Sequence, residues 1–450
     1  MSEALNMSAE VIAAIFGIAI TVVAIIVQLA ATRYNHHIVV LFMRDPTNIA
    51  VQTLFILVTL LCIWVAALPE STQSLHLPTL LLVTIAVIIL LPYFVYVFLF
   101  ISPLNIIRRM VRQTTRAVAQ RKPVQAFAAV NQIQDVARSA IEHGDRAIAL
   151  ACVDAFQTIF TDYRNARKNL PQHWHEQVRL QQDPDFVSYE PSALNDVSTS
   201  KLWFEVKLLQ QFLNIMWLAT PQMREVAAAL GIATRHLSTS STEPALQTVT
   251  HTTMNSLLRA SINARDARTA YHLLSQYRSV AEHALEANDP ERVKRISQHI
   301  ARYGLLAYEM DQAFILEVAA FDLSQLVMAS LEKDSALSED LLRRLLDLDQ
   351  DIRNEAQENS LLGVRRAQIQ VAAALLATEA TELVTLVVED LAGEHPERLE
   401  RIMQNLQLEQ DELFWEFTPR GVNFNYLPSS LKPYLAELVR QIAATRSGVA

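Results

Sequence analysis

The chain has 450 residues, of which 51 % are hydrophobic, with 38 Lys and Arg against 47 Asp and Glu and a net charge of −9. Its eight scattered glycines exclude a Gly-rich phosphate cradle of the Walker or dinucleotide type. Two cysteines, Cys62 and Cys152, exclude a disulfide framework, and neither stands in a metal-ligand spacing.

Three apolar runs fill the first quarter of the chain. Ala9 to Ala31 carries one charge, Glu10, at its start, while Ile49 to Leu68 and Thr79 to Ser102 carry none. A bilayer core of about 30 Å needs roughly 20 helical residues to cross it, and helix is the form that satisfies the backbone of an isolated apolar run in hydrocarbon. Three transmembrane helices are expected. The break Thr32 to Asn48 holds Arg33 and Arg44, and the residues after the third run hold Arg108, Arg109, Arg112, Arg116, Arg121 and Lys122; the N-terminal tail and the break Pro69 to Pro78 hold no Lys or Arg. By the positive-inside rule the N-terminus is outside and the rest of the chain, from the third run onward, is cytoplasmic. The expectation is a multi-pass membrane protein with a cytoplasmic C-terminal part.

Charge divides in the same way. Residues 1–122 hold 8 Lys and Arg against 4 Asp and Glu, a balance of +4, whereas the remainder holds 30 against 43, a balance of −13. A domain that acidic is not a nucleic-acid surface.

In the first span Glu10, Ala14, Gly17, Thr21, Ala24, Gln28 and Ala31 recur at alternating steps of four and three. They form a small-and-polar seam. Such seams pack helices closely within a subunit, or let copies of a chain meet in a homo-oligomer whose seams line a path, here with Glu10 near the outer mouth and Gln28 near the inner one. No span carries an ionisable group at mid-depth, which argues against a proton-coupled carrier. Pro92 interrupts the third span, and Trp64 suits the interfacial belt.

The stretch Leu104 to Ala119 reads as a basic helix leaving the membrane. Arg108, Arg112 and Arg116 are spaced by four, with Arg109 beside them, so they need counter-charge that anionic lipid headgroups supply. An ordinary stop-transfer collar would look the same.

From residue 123 the pattern is a succession of amphipathic helices, an all-α cytoplasmic domain divided near Pro171 to Ser200, a polar stretch read as a loop. Helices are expected over Val124 to His143, Asp145 to Lys168, Lys201 to Ala219, Glu243 to Ala260, Asp266 to Ala287, Pro290 to Glu309, Gln312 to Lys333, Ser338 to Asp349, Gly363 to Ala377, Thr381 to Ala392, Pro396 to Gln407 and Ser430 to Thr445. Asp145, Asp266 and Asp289 stand where N-caps belong. The Pro-Glu-Arg starts at Pro290 and Pro396 are alike, as shared capping chemistry makes them.

Chemistry is sparse. His173 and His175 diverge if helical, and His36-His37 reads as an interfacial turn or a pH-sensitive pair. No triad or carboxylate pair stands out, so no catalytic, cofactor or metal residue is assigned.

One resemblance completes this reading. Gln28-Leu29-Ala30-Ala31-Thr32-Arg33-Tyr34, followed by Leu41-Phe42-Met43-Arg44-Asp45 before the second span, is similar to the first membrane block of a family of bacterial integral membrane proteins classed as a domain of unknown function. Ser261-Ile262-Asn263, Asp266 and Thr269-Ala270 resemble a later block of that family. The resemblance implies an inner-membrane protein with a soluble helical C-terminal domain, and no activity. Two functions are expected: a homo-oligomeric channel-like protein with a cytoplasmic gating or filtering domain, or a membrane-anchored scaffold binding a protein partner through its acidic helices.

Overall fold

The computed structural model describes residues 2–33, 37–68, 75–176, 180–349 and 358–448. Tyr34, His36 and residues 69–74 of the second break lie outside them, as do the side chains of His37 and His173. The described chain is all-α, with one isolated antiparallel bridge between Leu413 and Val422. It falls into two compact units, 1–190 and 191–450.

The first unit begins with α1 (Ser2–Arg33), α2 (His37–Met43), α3 (Pro46–Ala67) and α4 (His76–Ile101). Helices α1, α3 and α4 pack on one another through Ile12, Val23, Val27, Phe55, Val58, Cys62, Ala86, Leu90 and Val97, with Phe16 stacked on Phe55 at 4.8 Å. Their other faces present Ile18, Leu29, Ile56, Leu57, Leu77 and Leu91 outward. A bundle with apolar side chains outside as well as inside is matched to an apolar solvent. Each of these three helices begins earlier than the apolar run alone suggests. Asp45 accepts from the amides of Thr47 and Asn48 and so starts α3 at Pro46, and α2 occupies what reads in sequence as a plain break.

Pro103 opens α5 (Pro103–Ala119), which is followed by α6 (Pro123–Glu142), α7 (Arg146–Arg167) and the short α8 (Gln172–Glu176). Helices α5, α6 and α7 form a second three-helix group. Here α5 buries Ile106, Ile107, Met110, Thr114, Ala117 and Val118 and leaves its arginines outside.

The second unit runs α9 (Pro191–Thr199), α10 (Trp203–Ala219), α11 (Arg224–Thr239), α12 (Pro244–Asn263), α13 (Ala267–Glu286), α14 (Pro290–Glu309), α15 (Ala313–Ser330), α16 (Ser335–Leu346), α17 (Glu358–Ala377), α18 (Thr381–Ala392), α19 (Pro396–Leu408) and α20 (Tyr434–Gly448). The polar stretch 171–200 is therefore partly helical, and α11 lies where no helix is expected from the sequence. Its buried face mixes Val226, Leu230 and Leu237 with small residues, and Gly231 lets it approach so closely that a Cβ there would stand 2.5 Å from Leu273 Cδ2. Helix α10 buries Trp203, Phe204, Leu208, Phe212 and Met216, and Trp217 stays exposed.

Helices α12 to α15 begin at equal steps, at Pro244, Ala267, Pro290 and Ala313, and the junction from α17 to α18 is built alike. Each junction uses one residue of left-handed backbone, among them Arg265, Asn288, Asp311 and Glu379. Asp266 and Asp289 then cap the next helix by accepting from the amides of Thr269 and Arg292. The outcome is a tandem array in which consecutive helices are neighbours. At its centre lies α15, whose small residues admit close partners: a Cβ on Gly304 of α14 would stand 2.6 Å from Ala319 Cβ.

Candidate functional site

Among the described residues four helices are long and apolar enough to cross a membrane: α1, α3, α4 and α15. The buried share of the apolar window is 67 % in α15 and 22 % in each of the other three.

The seam on α1 is the first candidate. Ala31 is buried, whereas Glu10, Ala14, Gly17, Thr21, Ala24 and Gln28 are exposed, and a Cβ on Gly17 would meet no atom within 4 Å. The face of α1 that packs against α3 and α4 is a neighbouring one, carrying Ile12, Ala19, Val23 and Val27. The lower seam borders a cleft of about 590 Å³, where Ala24, Gln28 and Ala31 of α1 face Gln52 of α3 and Tyr93 of α4.

Beside that cleft sits a polar knot that sequence reasoning did not single out. Asn48, buried in the α3 start, donates to the Phe42 carbonyl at 3.1 Å, and its Oδ1 accepts from Gln52 at 3.1 Å and from the Tyr93 hydroxyl at 2.6 Å. The Tyr96 hydroxyl donates to Asp45 at 2.6 Å. Arg109 of α5 completes the set, 3.8 Å from Asp45 with its guanidinium 3.6 Å over the Phe100 ring. The legible signal was Tyr93 and Tyr96, three apart on one face of α4, opposite a Pro-preceding Asp; the missing information was that α3 and α4 run side by side.

Of the four arginines expected to face headgroups, three share one concavity. Arg109, Arg112 and Arg116 line a cleft of about 360 Å³ with Gln113, Gln120 and Gln125. Arg108 is exposed outside that cleft. Spacing by four groups Arg108 with Arg112 and Arg116, but burial of Ile106, Ile107 and Met110 turns α5 so that Arg109 takes the inner place.

The second unit has its own cluster around Ser238. Arg292, buried, donates through Nη2 to the carbonyl and hydroxyl of Ser238 at 2.9 Å, and through Nε to His251 Nε2 at 3.2 Å. Burial first, and the charge of Arg292 next, push the His251 imidazole down to about 3, so it is a neutral acceptor here. The Tyr277 hydroxyl meets His299 Nδ1 at 2.6 Å. Together these contacts tie α11 to α14 through α12 and α13, and His251 Nδ1 is left buried without a hydrogen-bond partner among the described residues.

The last candidate is the segment between α19 and α20. A short hairpin, with Phe414 N–H donating to the Gly421 carbonyl at 3.0 Å and Asn423 N–H to that of Glu412 at 3.1 Å, turns at Gly421 in left-handed backbone. Arg420 pins it. Its guanidinium donates to both carboxylate oxygens of Asp322 at 2.7 and 3.0 Å and to the Tyr271 carbonyl at 2.6 Å, and it lies 4.3 Å over the Tyr271 ring. Asp322 on α15 is 0 % exposed and also pairs with Arg278 at 3.3 Å. What the pinned hairpin presents is apolar: Leu413 is 72 %, Trp415 74 % and Phe417 106 % exposed. Phe414 and Phe417 wall a cleft of about 400 Å³ with Tyr271, Phe314, Val422 and Phe424.

Among the described residues no group of three or more His, Cys, Asp or Glu is placed to hold a metal ion. Cys62 and Cys152 are both buried. No protein-family model, no curated protein and no solved structure matches this chain.

Proposed function

We propose that the protein is a membrane-anchored scaffold: α1, α3 and α4 cross the cell inner membrane three times, and the acidic array of the second unit holds a protein partner in the cytoplasm. Span number is supported by burial. Helix α15 carries Glu317 and Asp322, both ion-paired, and sits inside its unit, while the other three keep two or more apolar faces free. Orientation is supported by Arg33, Arg44 and the arginines of α5.

The observation that carries the scaffold reading is the aromatic hairpin. Exposed Trp and Phe on an irregular segment are costly in water and are enriched at the centres of protein interfaces. Here the segment is held by a buried ion pair, so the aromatic tip is presented on a rigid base, which lowers the entropy lost on binding. The chain purified from its own cells in mild detergent is expected to carry one protein at fixed stoichiometry. Trp415→Ala with Phe417→Ala should abolish that co-purification without altering the unfolding midpoint; retention of the same protein by the double variant would contradict the reading.

A second reading, a homo-oligomeric channel-like protein, is favoured by the exposed seam, which α3 and α4 leave uncovered. It predicts a symmetric oligomer in nanodiscs, conductance in a planar bilayer and a changed conductance in Gln28→Leu. A monomer without conductance would sink it.

A further inference from the structure

Three arginines share one concavity, and no carboxylate is among the residues that line it. Arg112 and Arg116 are exposed and make no ion pair among the described residues, and Arg112 Nε is directed at the Arg108 carbonyl at 3.2 Å. Arg109 is half-buried and fixed, by Asp45 on one side and the Phe100 ring on the other. Asp45 offsets Arg109, whereas no carboxylate in the lining offers counter-charge to Arg112 and Arg116. Gln113, Gln120 and Gln125 add side-chain amides, which donate to oxygen and also accept from a hydroxyl.

We propose that this cleft binds one phosphate group. Guanidinium forks match phosphate oxygens two at a time, and a cleft of about 360 Å³ holds a phosphate with a few attached atoms and no more. Two sources offer that group, an anionic lipid headgroup and a free phosphate ion. The lipid is favoured by position, because α4 ends at Ile101 and α5 starts at Pro103, which puts Arg109 two turns of helix from the end of a span. That preference rests on α4 being a span; binding of inorganic phosphate does not depend on it. The cleft also differs from a general basic collar, since it includes Arg109, Arg112 and Arg116 and leaves out Arg108.

The test uses the full chain in phosphatidylcholine nanodiscs, whose formation is itself checked first, titrated with dihexanoyl phosphatidic acid and separately with inorganic phosphate. Saturable binding of the short-chain lipid at one per chain is expected. Arg112→Gln and Arg116→Gln should each weaken it about fivefold, and together about 25-fold, while Arg108→Gln leaves it unchanged. All three side chains are exposed, so unfolding midpoints should stay level across the set. If Arg108→Gln weakens binding as much as Arg112→Gln, or if neither ligand saturates, the site is a diffuse collar and the proposal fails. If inorganic phosphate saturates in the same Arg-dependent way and the lipid does not, the lipid source is overturned.

Discussion

The three-helix bundle of α1, α3 and α4 and the tandem array of α12 to α18 are both built of packed helices, yet they use polar groups in opposite ways. In the bundle, apolar side chains face both inward and outward, and the polar contacts of Asp45, Asn48, Gln52, Tyr93, Tyr96 and Arg109 gather at one end. In the array, the apolar side chains are inside and charge is buried among them in pairs, Asp322 with Arg420 and Asp349 with Arg365 at 2.9 Å. Helix α15 shows why composition alone does not separate the two. Its residues could cross a membrane, but Glu317 and Asp322 each find an arginine on a neighbouring element, and that pairing belongs to a helix surrounded by protein.

The sharpest way to break this contrast is at Asp322. Arg420→Ala leaves a fully buried carboxylate with Arg278 as its remaining partner, and a loss of about 3–5 kcal/mol is expected on breaking such a pair. Chemical unfolding of the detergent-solubilised chain measures it. The same variant should admit protease between Leu413 and Val422, since the hairpin loses its anchor. An unchanged midpoint with an uncut hairpin would show that the pair contributes nothing.

Next come two glycines with opposite surroundings. Gly304→Ala forces Cβ against Ala319 Cβ and should cost about 1–3 kcal/mol, because α14 and α15 must separate. Gly17→Ala enters open space and should leave the stability of a monomer level or raise it by up to about 1 kcal/mol, through helix propensity alone. A loss of thermal stability in Gly17→Ala that depends on protein concentration would instead place the seam in contact with a second copy.

Acid should weaken the array through His251. Its folded imidazole is pushed down to about 3 from an ordinary value near 6.5, so between those values the unfolded chain binds a proton that the folded chain does not. This contribution is therefore complete above about pH 6.5 and is lost as the pH falls toward 3, by up to about 1.4 kcal/mol per pH unit. His251→Gln keeps an acceptor for Arg292 and removes the titration. Stability measured from pH 7 to 5 should fall less steeply in the variant; identical slopes would show that His251 titrates normally.

The smallest effect is expected in the membrane knot. Tyr96→Phe removes one hydrogen bond to Asp45 and should cost about 1 kcal/mol, with Arg109 still in place. A larger loss would mean that the knot acts as one unit.

Much of the architecture was legible in the sequence because it rests on local rules. Uncharged runs of span length gave α1, α3 and α4, and the capping aspartates gave the starts of α7, α13 and α14. Helix α11 escaped because Ala227, Gly231, Ala233 and Thr234 dilute the apolar signal of Val226, Leu230 and Leu237, and the burial of Gly231 depends on the closeness of Leu273. The equal steps from Pro244 to Ala313 were hidden for a related reason: the junctions share backbone geometry, and residues as different as Arg265, Asn288 and Asp311 supply it. The candidate sites divide in the same way. The arginines of α5 were visible as a cluster, but which of them share a cleft depends on how the helix is turned. Arg420 and Asp322, 98 positions apart, carry no local signal at all.

In the proposed topology α1, α3 and α4 are spans and the array lies on the opposite side of the membrane from the N-terminus. Single cysteines at the exposed positions Met7 and Ser447, in a chain whose Cys62 and Cys152 are replaced by Ala, test it with a membrane-impermeant maleimide. Met7→Cys should be labelled from outside when the outer surface of the inner membrane is accessible, and Ser447→Cys only after that membrane is permeabilised. Labelling of both positions from the same side would contradict the three-span topology.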